Sequence, residues 1–397
     1  MSGRSSVRMP FDSFDDIAPC LHIVQCLQIG PVSRRDWSSS ALQQLLISRM
    51  PALKSLDMTV HYPGDPSLRS ERLAQVSLPN SLFPGLVQIS LQGFNFPSLG
   101  ILSQLQSLTL GPCRSSESFL DGTVLTHSLS QCVNLRELRI KEFLGLVTFS
   151  DTLPTYITWT LPSLRTLDIA DDYDKIAPLL RFAILPVCTS VTLTDMKPLL
   201  LCDPIPPFVR LLPPRTRSLH SLLPFAVTRL SVAVEGGYVV ISGTDPSSDP
   251  AHRVALRMRA QPTLFSIAVS SLEGLFAEPR GRVRELELDI VDDDGIDLLS
   301  WVDQFARFPG VRSFTLRSRM REHELPSACV DALALGAHQG GAFSQLAELR
   351  IAGVRVDCDV VQRLAGVLAR RAPLGFPQLD VSYGARRRWK GSGCRNK

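Results

Sequence analysis

Four features of this 397-residue chain have the residue types that chemistry needs, and each is decided by spacing. Asp292-Asp293-Asp294-Gly295 has the acid-and-glycine look of a calcium loop, whose ligands alternate and end on a bidentate acid at the twelfth place. With Gly295 in the sixth place, Ile290 would be first and Trp301 twelfth, so the stretch reads as a turn into a helix at Asp297. His323-Glu324 begins a zinc-protease motif, but the second histidine's place holds Ser327. Gly336 to Gly341 lacks the Lys-Ser or Lys-Thr of a phosphate loop and reads as a loop only. Nine cysteines (20, 26, 113, 132, 188, 202, 329, 358 and 394) form no Cys-x-x-Cys pair and have no closely spaced histidines, so they read as reduced, buried thiols. No Gly-x-Ser-x-Gly elbow occurs. The expectation is a protein that is not an enzyme, with no catalytic residues, no cofactor and no metal ligands.

Composition points the same way. Hydrophobic residues make up 44% and charged residues 20%, enough apolar material for a packed interior. The net charge of +4 comes from the C-terminal stretch, where Arg386, Arg387, Arg388, Lys390, Arg395 and Lys397 stand without an acid. Without them 36 basic residues face 38 acidic ones, which speaks against a broad nucleic-acid groove; a nucleic-acid role led by the basic tail stays as an alternative. Neither an apolar leader behind Arg4 and Arg8 nor a membrane-length apolar run is present, and Arg395 and Asn396 do not suit a prenylation site at Cys394. A cytoplasmic or nuclear protein with no membrane contact is expected.

The elements that must position any functional side chain show themselves as a repeat: apolar, two variable, apolar, one variable, apolar. It is clearest from Leu105, Leu135, Leu164, Val283 and Leu346, good from Leu53, Leu86 and Val311, and weaker from Val24, Cys188, Val227 and Phe376. The starts are irregularly spaced about thirty residues apart, as in the longer leucine-rich repeats. A strand that buries positions four and six turns position five to the other face. Position five reads Gln28, Asp57, Ser90, Thr109, Arg139, Asp168, Thr192, Ser231, Glu287, Thr315, Arg350 and Asp380, all polar, an outcome with odds of about one in a thousand by chance at this composition.

Between strands, Leu42, Leu45 and Leu46 keep helical spacing, as do Leu298, Val302 and Phe305, and Val361, Leu364 and Leu368; Arg370 and Arg371 suit the dipole at the end of the last helix. One strand and one return segment per unit predicts an α/β solenoid, a leucine-rich-repeat-like horseshoe with a parallel concave sheet and irregular repeats. Two regions break the rhythm. Asp203 to Pro224 holds six prolines, with Phe208, Val209, Leu211 and Leu212 among them, and reads as a crossing; Tyr238 to Ser242 and Arg253 to Arg259 read as an inserted hairpin about a turn at 243–250. The expected organisation is therefore a lead-in (1–20), an N-terminal repeat block (21–203), the crossing (204–224), a C-terminal block (225–384) with the hairpin near 236–260, and a basic tail (385–397).

The run from His22 to Cys113, with Trp37, MPALKSLDM (Met50 to Met58), LFPGLVQISLQG (Leu82 to Gly93) and LSQLQSLTLGPC (Leu102 to Cys113), resembles the repeat region of fungal F-box/leucine-rich-repeat proteins, especially those of mushroom-forming fungi. Cys113 stands where such repeats place Asn or Cys to serve the turn. The resemblance implies repeats that hold the substrate of a cullin-type ubiquitin ligase, and an F-box that binds its Skp adaptor. Residues 1–20 carry no Leu-Pro-x-Glu opening, so the adaptor is expected only with an F-box upstream; otherwise the chain is an orphan repeat scaffold.

The surface expected to act is the concave face, where outward positions align in ladders about 4.8 Å apart. Its candidates are Glu137, Arg139, Lys141 and Asp168, then Glu285, Glu287 and Asp289, then Thr315 and Arg317, then Glu348 and Arg350. A basic rung near Arg139 and an acidic rung near Glu287 would suit a protein partner carrying both charges.

Overall fold

The computed structural model describes residues 18–37, 40–61, 76–96, 99–113, 120–149, 158–181, 183–197, 207–212, 225–248, 251–260, 264–276, 282–290, 301–302, 306, 308–318, 327–338, 345–353, 358–371 and 378–384. It is a mixed α/β protein in two compact units: Met1–Lys197 with Arg210–Thr216 and Ser221–Pro224, and Phe225–Lys397 with Pro198–Val209 and Arg217–His220.

Among the described residues, the main sheet of the first unit is built from seven strands, β1 (Cys26–Ser33), β2 (Ser55–His61), β3 (Gln88–Gln92), β4 (Ser107–Leu110), β5 (Glu137–Lys141), β6 (Thr166–Asp171) and β7 (Ser190–Asp195). All pair in parallel and follow one another across the sheet in chain order. Position four of each repeat lies opposite position four of the next, so Leu27, Leu56, Ile89, Leu108, Leu138, Leu167 and Val191 form one buried row.

Two backbone devices set that register. Position one donates its N–H to the carbonyl three residues earlier, as Leu86 does to Phe83 and Leu164 to Leu161, closing a β-turn at the strand entrance. Five such described turns (Met50-Pro51, Phe83-Pro84, Leu161-Pro162, Leu185-Pro186 and Phe308-Pro309) have proline second, where its fixed φ suits the turn and its missing N–H costs nothing. The carbonyl of position two then accepts two N–H groups from the next repeat: Lys54 from Val87 and Gln88, Gln106 from Arg136 and Glu137, Arg136 from Arg165 and Thr166. A one-residue slip would lose both bonds and turn the apolar row to solvent.

The second unit begins with an antiparallel meander of β8 (Arg229–Glu235), β9 (Tyr238–Asp245) and β10 (His252–Arg259). Strands β11 (Glu285–Ile290), β12 (Ser313–Ser318), β13 (Glu348–Ala352) and β14 (Asp380–Gly384) continue in parallel from β8. The hairpin expected near 236–260 is β9–β10, with Gly243, Thr244 and Asp245 in strand rather than in the turn. Strands β8 and β9 join through Gly236 and Gly237, at φ +57° and +81°, the left-handed pair that a two-residue hairpin requires. The frame from Phe376 is displaced: Val381, not Leu379, lies opposite Leu349. The offset is two residues, so the same side chains keep the same face.

Helices return the chain. They include α1 (Ser40–Ile47), α2 (Gly122–Ser130), α3 (Tyr173–Leu180), α4 (Leu264–Phe276), α5 (Ser327–His338) and α6 (Cys358–Arg371). Leu42, Leu45 and Leu46 are buried from α1. Along α6 the inward face is Leu364 and Val367, whereas Val361, expected inside, is 56% exposed. Arg371, at the C-terminal end of α6, is buried and donates from Nη2 to the Leu346 carbonyl at 2.8 Å, so it ties α6 to a strand entrance. Gly336 lies within α5, not in a loop. Phe208, Val209, Leu211 and Leu212 of the proline-rich stretch are buried; residues 204–206 and 213–224 of that stretch, the lead-in before Ala18, Asp292–Gly295, His323-Glu324 and the tail lie outside the described residues.

Position eight, just past the strand, is left-handed in three repeats: Gly93 (φ +79°), Gly353 (φ +73°) and Glu142 (φ +49°). A β-branched side chain is poorly tolerated there. Glu142→Val is expected to lower stability by about 1 to 2 kcal/mol and Glu142→Gly to stay within about 1 kcal/mol of wild type, as read from urea denaturation. Equal losses for both would place the cost in the lost side chain.

Candidate functional site

Each strand turns its odd positions away from the apolar rows, and in the first unit this places Glu137, Arg139 and Lys141 on β5 beside Asp168 on β6. Arg139 Nη2 donates to Glu137 Oε1 at 2.5 Å, and Ser107 Oγ on β4 donates to Glu137 Oε2 at 3.2 Å. Lys141 is exposed, and Asp168 lies opposite Arg139 in register. The expected basic rung is thus an arginine held by its own strand's glutamate, with Lys141 beyond it.

The same arrangement recurs in the second unit. Arg350 Nε donates to Glu348 Oε1 at 2.6 Å, and Ser313 Oγ on the preceding strand donates to Glu348 Oε2 at 3.0 Å. The Arg350 guanidinium holds the Glu348 carboxyl below its ordinary range. In both places the sequence is Ser at position three of one repeat, then Glu-x-Arg at positions three to five of the next.

Around Glu287 the structure corrects the expected acidic rung. Its carboxylate receives Arg229 Nη2 at 3.0 Å and Arg317 Nη1 at 2.8 Å, while Arg229 Nε also approaches Glu285 at 3.6 Å. Arg229 was overlooked, although it holds position three of the weak repeat from Val227 and the outward rule applies to it equally. Asp289 and Thr315 are not solvent-facing as expected but 4% and 9% exposed. Asp289 lies opposite Arg317, and Thr315 between Glu287 and Arg350, so longer neighbours cover both. Beside them a cavity of about 310 Å³ opens on the solvent side of β8, β9, β11 and β12, lined by Arg229, Ser231, Ala233, Glu235, Ser242, Thr244, Glu287, Asp289 and Arg317.

Two further carboxylates were not singled out from sequence. Asp171 and Asp195, each at position eight, are 5% and 2% exposed. Asp171 Oδ2 accepts from the Leu144 N–H at 2.6 Å, and Asp195 Oδ1 from Tyr173 N–H at 3.2 Å and Lys197 N–H at 3.0 Å. Leu144 opens a short 3₁₀ turn and Tyr173 opens α3, so each carboxylate satisfies an orphan donor at the start of the preceding repeat's return segment. Burial pushes the Asp171 carboxyl up, and that of Asp195 up to about 6, with Asp172 and Asp174 adding like charge. Their shared signal was an acid closing two successive strands.

Cys113, Cys132, Cys188 and Cys329 are buried free thiols. Burial pushes Cys113 and Cys132 up to about 12 and Cys188 to about 11, far from thiolate reactivity. Cys113 Sγ donates to the Phe94 carbonyl at 3.7 Å, tying neighbouring turns together. Among the described residues no three His, Cys, Asp or Glu side chains gather as metal ligands do, and no helix is long and apolar enough to cross a membrane. Set against known proteins, the chain matches no protein-family model and no curated protein.

Proposed function

We propose that the chain is a protein-binding solenoid of the leucine-rich-repeat kind, without catalytic activity of its own, whose docking surface is the solvent face of its sheets. The observation that carries this is the repeated Ser–Glu–Arg arrangement, Ser107–Glu137–Arg139 and Ser313–Glu348–Arg350, on a backbone locked by its cross-repeat hydrogen bonds. Arginine is favoured at protein interfaces, and one already held by a glutamate loses less side-chain freedom when a partner docks. The resemblance of residues 22–113 to fungal F-box/leucine-rich-repeat proteins supports the more specific reading, a substrate-holding relative of cullin-type ligase receptors. Under it the Skp adaptor is a partner only through an F-box.

The full chain, immobilised in a cell extract, should retain discrete proteins that Arg139→Glu with Lys141→Glu no longer retains. Val187→Asp, at an exposed site outside the strands, should retain them all. Retention indifferent to the double reversal and abolished by Val187→Asp would move the docking surface off the sheet.

A further inference from the structure

Position two of the repeats, on the rim where the strands begin, carries charge of one sign. It is Lys54, Arg136, Arg165, Arg284 and Arg312 in five repeats and an acid in none. In each unit two of these arginines fall in successive repeats: Arg165 donates its N–H to the Arg136 carbonyl at 2.9 Å, and Arg312 to the Arg284 carbonyl at 2.8 Å, so the members of each pair are lateral neighbours. All four are exposed. The pair in the second unit is the more elaborate. Arg284 Nη1 donates to the Gly310 carbonyl at 3.3 Å, which carries its guanidinium across to the turn that leads into Arg312. Arg282 joins them, because it and Arg284 are exposed on either side of the buried Val283 and so share a side. Among the described residues no carboxylate stands within ion-pair distance of Arg282, Arg284 or Arg312; Glu285, next along the chain, is approached by Arg229 instead. Like charges side by side on neighbouring strands repel, and nothing in the fold offsets that repulsion here.

We propose that Arg282, Arg284 and Arg312, on the entrance rim of β11 and β12, dock an acidic segment of a protein partner with Asp or Glu at alternate places. This rests on the protein-binding reading and adds to it a surface apart from the sheet face. Arg282 and Arg284 are two residues apart, about 6 to 7 Å in extended chain, and alternate acids of an extended segment repeat at the same distance. Arg312 lies one strand over, about 4.8 Å to the side, so successive carboxylates can each meet a guanidinium fork. Arg284, already held by Gly310, gives up less side-chain freedom on docking. A nucleic acid fits less well. On the flanking strands β8 and β13 position two is Thr228 and Ala347, so the charge is two strands wide, too short a track for the run of phosphates that holds a nucleic acid.

The test uses the full chain and a fluorescent peptide of sequence Glu-Ser-Glu-Ser-Glu, acetylated and amidated, followed by anisotropy. Saturable binding that weakens with added salt, is absent for the same peptide with glutamine in place of glutamate, and falls about tenfold or more when Arg282, Arg284 and Arg312 are all changed to Gln supports the assignment. The triple variant keeps the basic stretch at 386–397, so peptide held there would survive the change. An unchanged thermal midpoint shows that the variant is folded; if it is not, Arg312→Gln alone should weaken binding about threefold or more. No saturable binding, binding that persists in the folded triple variant or in Arg312→Gln, or tighter binding of a short oligothymidylate lost through the same changes would overturn the proposal. Since the probe peptide replaces the partner and Arg139 and Lys141 lie on the other unit, this site can fail while the capture experiment succeeds, and the reverse.

Discussion

Leu138→Ala is expected to lower the free energy of unfolding by about 2 to 5 kcal/mol, whereas Arg139→Glu, one residue along the same strand, is expected to change it by no more than about 1 kcal/mol. Leu138 is fully buried at position four, between Leu108 and Leu167 in the apolar row, so truncation removes buried methyl groups and leaves a space its neighbours cannot close. Arg139 has a side chain 55% exposed, and its ion pair to Glu137 is of the solvent-screened kind. Leu286→Ala, in the corresponding row of the second unit, should behave as Leu138→Ala does, since Leu286 is 4% exposed. Denaturant midpoints at constant slope measure all three. If Arg139→Glu cost as much as Leu138→Ala, the assignment of the two faces would be wrong.

The second large effect concerns pH. The Asp195 carboxyl is raised from 3.8 to about 6, so between those values the folded protein holds a proton that the unfolded chain has released. Stability from this group is therefore complete below about pH 4 and is lost as pH rises through about 6, a change of about 2 to 3 kcal/mol. Asp171 is shifted in the same direction and adds to the trend. Asp195→Asn keeps an oxygen for the Tyr173 and Lys197 N–H groups and carries no charge. The variant should match wild type below pH 4, gain on it between pH 4 and 6, and remain more stable by about 2 to 3 kcal/mol at pH 7.5. A difference that does not vary with pH would mean that Asp195 is charged throughout, with its two N–H bonds outweighing its burial. Lys197 does not cancel this charge, because its ammonium is given to Asp174 at 3.0 Å.

A strand's buried and solvated sides are local properties with period two, and for that reason the sequence by itself determined most of the architecture. Alternation about Leu108 and Leu110, or Leu286 and Leu288, named the strands, their inward rows and the β9–β10 hairpin without knowledge of what lay alongside. A proline before position one marked several entrances in plain sight, and its meaning emerged only when the turn hydrogen bonds were seen. The candidate face was legible as a set of residues but not as an arrangement of charge. Glu287 looked like an acid on an acidic rung; its partner Arg229 stands 58 residues away, brought into reach by lateral strand order. Desolvation is equally non-local. Asp289 and Thr315 share residue types with exposed residues and are nevertheless buried beside the side chains of neighbouring strands, and Arg371 is buried where it meets the Leu346 carbonyl. Asp171 and Asp195 can stay buried because donors from the preceding repeat point at them. Periodicity is written along the chain, whereas ion pairing, burial and the floor of the cavity belong to the space between strands, and only the tertiary structure sets that.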